Sequence, residues 1–142
     1  MQVFMPYPDY NATAQCLDDR RLFKQSLECK QIMSAILGLS TGWKNHCITR
    51  LWGKFHESLN EYWWEINMEL ANRGKKFIPC FSEYKTVEKP FFIGQEYYHS
   101  AYRSHLLNKD EKFYRGHGWT EEAVSGYWSI NKEGMWMKFS VK

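Results

Sequence analysis

The sequence predicts an all-α fold, and three observations predict it. Apolar residues recur at spacings of three and four through two long stretches and one shorter one. The polar residues between them fall on opposing arcs, and strand-like alternation is nearly absent. The expected architecture is one domain over residues 1–142, with three main helices, long loops and an aromatic C-terminal tail. A chain of 142 residues needs only one core, since burying roughly two-thirds of the unfolded surface suffices at this size.

The first helix is expected to begin after residues 6–11 and run to Ile36 or Leu37, where Gly38 supplies a stop. At about 100° per residue, Leu22, Cys29, Met33, Ile36 and Leu37 share one arc, and Arg21, Lys24, Gln25, Glu28 and Gln31 share the opposite one. The second helix is expected from His46 to Asn72, with Ile48, Leu51, Trp52, Phe55, Leu59, Tyr62 and Ile66 facing the core. Residues 75–90 break the pattern and read as a long surface loop. A third helix, from about Gln95 to Asn108, presents Tyr98, Ala101, Tyr102 and Leu106 on one side and His99 with Arg103 on a neighbouring side. Thr120 followed by Glu121 and Glu122 reads as the cap and first turn of a short fourth helix. The tail from Gly126 onward has no clean period, so it reads as an extended flap or a packed irregular end.

Composition narrows the functional classes. Seven Trp, nine Tyr and nine Phe are more rings than a core of this size hides, so some are expected to line a groove or stack on a ligand. Trp43, Trp119 and Trp128 are the rings weighed for stacking on an unpaired base, against packing in the core. The net charge of +3 does not by itself mark a nucleic-acid binder; its distribution matters more. No apolar run of membrane-spanning length and no signal-peptide pattern is present, so a cytoplasmic protein with no membrane partner is expected. Cys16, Cys29, Cys47 and Cys80 form no C-x-x-C pair, so reduced thiols are expected rather than a metal site or a disulfide framework.

Glu28 draws attention because one carboxylate sits mid-helix among Arg21, Lys24 and Gln31. Spacing alone equally describes a solvated helix face. Four blocks in order carry more information: LDDRRLFKQSLECKQI, GWKNHCITRLW, MELANRG and IGQEYYHSAYRSHLLNKDEKFY. Together they resemble the pyrimidine-dimer DNA glycosylase family, over roughly residues 1–128, and in particular the branch that starts MQ-x-F-x-PYPD, as Met1 to Asp9 do here.

The resemblance implies a base-excision enzyme acting on double-stranded DNA with a damaged or modified base. It further implies a monomer without metal or organic cofactor, associated with the nucleoid of a bacterial or virus-infected cell. Glu28 matches the family's catalytic glutamate, His46 a histidine near its active site, and the α-amine of the first residue its nucleophile. The amine suits that role because an α-amino group has a pKa of about 7.7–8.0, against about 10.4 for lysine, and so is far more often neutral at pH 7. Gln2 is too large for ordinary removal of the initiator methionine, so Met1 is expected to stay and supply the amine. Two other routes stay open: Lys24 as nucleophile, or a hydrolytic glycosylase in which Glu28 activates water.

The DNA contacts expected are Arg20, Arg21, Lys24, Gln25, Gln31, Lys44, Asn45, Arg50, His99 and Arg103. Leu27 and Gln31 stand where dimer-specific members carry arginines, which favours a modified pyrimidine as the rival substrate. A non-catalytic nucleic-acid-binding protein that kept the fold, and a helical interaction protein, are the rivals from other classes.

Overall fold

The computed structural model describes residues 1–140, so Val141 and Lys142 at the end of the expected aromatic tail lie outside the described residues. The fold is mainly helical. It comprises α1 (Tyr10–Cys16), α2 (Asp19–Ile36), α3 (Cys47–Trp52), a 3-10 turn (Gly53–Phe55), α4 (His56–Asn72), α5 (Glu96–Lys109) and α6 (Glu111–Arg115). It ends in a hairpin of β1 (Tyr127–Ile130) and β2 (Trp136–Phe139).

Where one first helix was expected, the chain makes two, because Asp18 caps the second. Leu17 is extended, and the Asp18 carboxylate accepts the backbone N–H of Arg21 at 3.3 Å and pairs with its guanidinium at 3.2 Å. The terminal carbonyls of α1 are then taken by Arg73, at the end of α4. Its guanidinium donates to the carbonyl oxygens of Leu17 (2.8 Å), Gln15 (3.1 Å) and Ala14 (3.4 Å), and pairs with Glu69 and Asp19. One side chain thereby fixes the angle at which α2 leaves α1.

The expected second helix is also split. The His46 side chain caps α3, its Nδ1 accepting the Ile48 N–H at 3.1 Å, and the helix tightens through Gly53–Phe55 before α4 begins. α2 and α1 both pack on α4, and α3 joins α2. Leu22, Cys29, Ile32 and Met33 meet Leu59, Tyr62, Trp63, Ile66 and Leu70, with Val3, Met5, Tyr98, Tyr102 and Leu106 completing the core. Residues 75–90 do form a loop. It is pinned by a buried clasp in which Ser26 Oγ donates to Asn67 Oδ1 (2.7 Å) and accepts the Ile78 N–H (2.9 Å).

Two expectations for the C-terminal third need correction. Thr120–Glu122 is not a helix start. Glu121 instead points back to α5, accepting from Arg103 Nε at 2.7 Å and Ser100 Oγ at 3.0 Å, while the short helix lies earlier, capped by Asp110. The tail is an antiparallel hairpin with Tyr127 opposite Phe139 and Ile130 opposite Trp136, closed by Asn131, whose Oδ1 accepts the N–H groups of Glu133 and Met135. The alternation was hidden because rings occupy both faces: Tyr127 stacks on Phe139 on one, and Trp128 on Trp136 on the other. Gly126, which enters β1, has φ +143°, and a Cβ there would lie 2.9 Å from the Phe139 carbonyl oxygen. Among the described residues, no helix is long and apolar enough to cross a membrane.

Removing the Arg73 guanidinium strands several helix-end carbonyls at once. Arg73→Met is expected to lower unfolding free energy by about 2–4 kcal/mol in urea denaturation, with Arg73→Lys recovering little, because one ammonium cannot span the three carbonyls.

Candidate active site

The N-terminal segment crosses α2 in a fixed register, set by Gln25. Although expected among DNA contacts on the polar arc, Gln25 is fully buried. Its Nε2 donates to the Gln2 carbonyl (3.0 Å) and to Glu28 Oε2 (2.9 Å). Its Oε1 accepts the Phe4 N–H (2.9 Å) and the Tyr62 hydroxyl (2.6 Å). An amide has two donors and two lone pairs, and all four are used. The spacing contained the signal: Gln25 lies three residues after Leu22 and four before Cys29, inside the apolar stripe.

That register carries the Gln2 N–H to within 3.3 Å of Glu28 Oε2 and leaves the Met1 amine in the same cavity. The cavity, about 260 Å³, is lined by Met1, Gln2, Phe4, Arg20, Arg21, Lys24, Glu28, His105 and Lys109. Glu28 is the one carboxylate among these residues, facing two arginines, two lysines and the amine. Burial raises its pKa above the ordinary glutamate value. The amine's charge, the Gln2 N–H, Lys24 and Lys109 pull the other way without cancelling it.

Among the expected site residues, the fold therefore brings Met1, Glu28, Arg20, Arg21 and Lys24 together. His46 is half-buried as the α3 cap and makes no contact with the cavity. It nevertheless feels the amine: burial first, then the charges of the amine and Arg50, lowers its pKa. Gln31 lies on an adjoining depression with Leu27 and the exposed ring of Trp43, and Lys44 and Asn45 are exposed on the loop that follows.

Three further expected DNA contacts are engaged inside the protein. His99 is buried, with Nδ1 bound to the Met5 carbonyl at 2.8 Å and Nε2 accepting the Gly94 N–H at 2.8 Å. Arg103 donates to the Pro6 carbonyl (2.7 Å) and pairs with Glu121 and Glu96. Arg50 donates to the carbonyls of Asn45 and Ile130, tying the α2–α3 loop to the hairpin. Each is spent on holding chain rather than ligand. Trp119 is likewise core, stacked on Tyr114, and Trp128 packs against Trp136.

Sequence reasoning missed Gln2, His105 and Lys109. Gln2 is buried, its side chain accepting the Tyr102 hydroxyl at 3.1 Å. His105 and Lys109 continue the arc of Tyr98, Ala101 and Tyr102 at spacings of three and four, a stripe read only as far as Leu106. Lys109 has a lowered pKa, from burial and then the neighbouring charges of Arg21 and Lys24, so three cations converge at this mouth.

The family model described as pyrimidine dimer DNA glycosylase matches residues 1–82, more than half of the chain, including the amine, α1 to α4 and Glu28. No curated protein and no solved structure matches.

The raised Glu28 pKa makes a stability prediction with a definite sign. Ionising this carboxylate costs the folded state more than the unfolded one. The cost is absent at low pH, where both states are protonated. It grows above the free-chain value of about 4.3 and is complete once pH passes the folded-state value. Glu28→Gln keeps an oxygen for both the Gln2 and Gln25 donors. It should therefore melt at or above the wild-type temperature at pH 7–8, with the gap closing below about pH 4 in thermal denaturation across pH. A lower melting temperature at pH 7 would show that attraction to the amine outweighs burial.

Proposed function

Because the chain belongs to the pyrimidine dimer DNA glycosylase family, we propose that it excises a damaged pyrimidine from duplex DNA with the Met1 amine and Glu28, then cleaves the strand at the abasic site. One observation carries this reading: a terminal amine and a half-buried carboxylate share a cavity whose other charges are all positive.

The steps follow from those groups. The C1′–N bond of the target nucleotide breaks with its electron pair leaving on the base, and the amine lone pair forms a bond to C1′. The Glu28 carboxylate stabilises the cationic sugar against which this happens. The nitrogen bonded to C1′ loses one proton to solvent and, as the C1′–O4′ bond breaks, its other to O4′, which opens the ring and leaves an imine between Met1 and C1′. Removal of a C2′ proton by the carboxylate then expels the 3′ phosphate by elimination. Raising the Glu28 pKa by burial suits a group that must take up and release protons. Arg20, Arg21, Lys24 and Lys109 ring the mouth where backbone phosphates approach, and Lys44 and Asn45 are exposed on the loop before α3. The target is extruded from the helix to enter so small a cavity.

A pyrimidine dimer is the first substrate to test. A modified pyrimidine is the second reading, favoured by the apolar depression that Leu27, Gln31 and Trp43 help to line, since Leu27 and Gln31 stand where dimer-specific members carry arginines.

Borohydride trapping on duplexes holding a thymine dimer, a modified pyrimidine or an abasic site tests the chemistry. The adduct should map to Met1, and Glu28→Gln should slow base release by about 10²–10⁴-fold. Absence of any adduct with base release intact would replace the amine by Glu28-activated water. Salt-sensitive binding without base release or strand cleavage would leave a binding protein.

Neutralising about four phosphates predicts a slope of about −3 to −4 in log K against log salt. Lys24→Ala should reduce it by about one, in fluorescence anisotropy titrations. A flat dependence would remove DNA from the reading.

A further inference from the structure

Within the glycosylase reading above, on which this rests, we propose that His105 contacts the substrate: as a neutral imidazole it donates its Nε2–H to the O2 oxygen of the departing pyrimidine. His105 sits one turn before the end of α5, in the cavity wall that also holds Met1, Glu28 and Lys109. The backbone N–H of Gly126 points at its Nδ1 from 3.0 Å, and the Ser125 hydroxyl lies 3.5 Å from the same atom. A backbone N–H can only donate, so Nδ1 is an acceptor and the proton of the neutral ring is on Nε2. That Nε2 is buried and has no hydrogen-bond partner among the described residues. The residue is 2% exposed and walled by Phe4, Tyr102 and Tyr127, so a residue that lines the cavity keeps a donor that no protein atom among the described residues receives.

The charges acting on the ring come from three elements: Lys109 on its own helix, Arg21 on α2 and the N-terminal amine. Burial foremost, and then these charges, pushes the His105 pKa down to about 4. The imidazolium is therefore unavailable at neutral pH, and the ring acts by hydrogen bonding, not by proton transfer.

The other cavity groups already have tasks. The amine meets C1′, Glu28 the sugar cation, and the arginines and lysines the phosphates. The electron pair of the breaking bond passes to the base nitrogen and is shared with O2 beside it, and that growing charge needs a donor in a dry wall. No atom changes hands at His105. The base leaves as the anion and is protonated from solvent.

The hairpin thereby acquires a role in the chemistry. Gly126 tolerates no Cβ against Phe139, and Tyr127 next to it packs on the imidazole, so the start of β1 is what sets the tautomer.

Comparing base-containing and abasic duplexes tests the assignment, because the second has no departing base. In single-turnover assays, His105→Phe should slow base release by about 10²–10³-fold while leaving borohydride trapping at a preformed abasic site within about threefold. His105→Gln, which keeps an N–H donor, should recover a substantial part of base release. Imidazole nitrogen NMR of the wild-type chain should show Nε2 protonated with no titration between pH 5 and 8, and Nε2–H should shift on binding an uncleavable duplex. Equal losses on both duplexes, undiminished base release in a folded His105→Phe, or a proton on Nδ1 would each overturn the proposal while the glycosylase reading stands. If the wild-type chain neither releases base nor forms an abasic-site adduct, that reading falls and this one with it.

Discussion

The side-chain amide of Gln25 is the constraint on which the candidate active site depends. Four hydrogen bonds meet there, from or to the N-terminal segment, α2 and α4, in a site with no exposure. A buried amide is tolerable only when every donor and acceptor is used, and this one locks register because a slip of one residue would unmake several bonds together. The segment behind the chain end, ordinarily the loosest part of a protein, is therefore tied down through the backbone of Gln2 and Phe4. The chemistry proposed for the terminal amine needs that placement, since the amine has no side chain of its own to aim it.

The same need explains where the polar groups of α5 went. His99 takes the Met5 carbonyl, Arg103 the Pro6 carbonyl and Tyr102 the Gln2 side chain, so one helix grips successive residues of the segment that Gln25 anchors from the other side. Residues that look like phosphate ligands in a helical register are instead the far wall of a clamp. What remains to meet an anion is the cluster of Arg20, Lys24 and Lys109, with Arg21 beside them already paired to Asp18, gathered from α2 and α5 around the single carboxylate of the cavity. Positive charge at the rim and a raised carboxylate pKa within arise from one arrangement: burial that desolvates Glu28, beside cations whose attraction does not cancel it.

How much of this the sequence disclosed depends on the range of the interaction. Periodicity carried the helical class, the stripe through α4 and the meeting of Arg21, Lys24 and Glu28, all of which are local. The breaks at Asp18 and at Gly53–Phe55 are local too; the first is decided by a side-chain cap competing with a helix that propensity alone would continue, and the second has no side-chain cap. The hairpin escaped because its rings face both ways, which erases the contrast that alternation relies on. Gln25 and His99 escaped for a different reason. A polar side chain in an apolar stripe is satisfied only by partners distant in sequence, 21 residues away for Phe4 and 94 for Met5, and no window along the helix contains them.

His99 and His105 show what those distant partners decide. They stand six residues apart on one helix, both buried, and burial lowers the pKa of each. In His99 a carbonyl takes the Nδ1 proton and a backbone N–H fills Nε2, so neither nitrogen has anything left to offer. In His105 the backbone N–H comes to Nδ1 instead, which moves the proton to Nε2, where no protein atom receives it. Burial leaves such a donor unsatisfied only at a cost, and the residue that carries it lines the cavity that holds the amine and Glu28. Residue type and helix position alone would rank the two histidines alike. The identity of the backbone group presented to Nδ1, a carbonyl from the N-terminal segment or an N–H from the hairpin, makes one a strut and leaves the other with a hydrogen bond still to give.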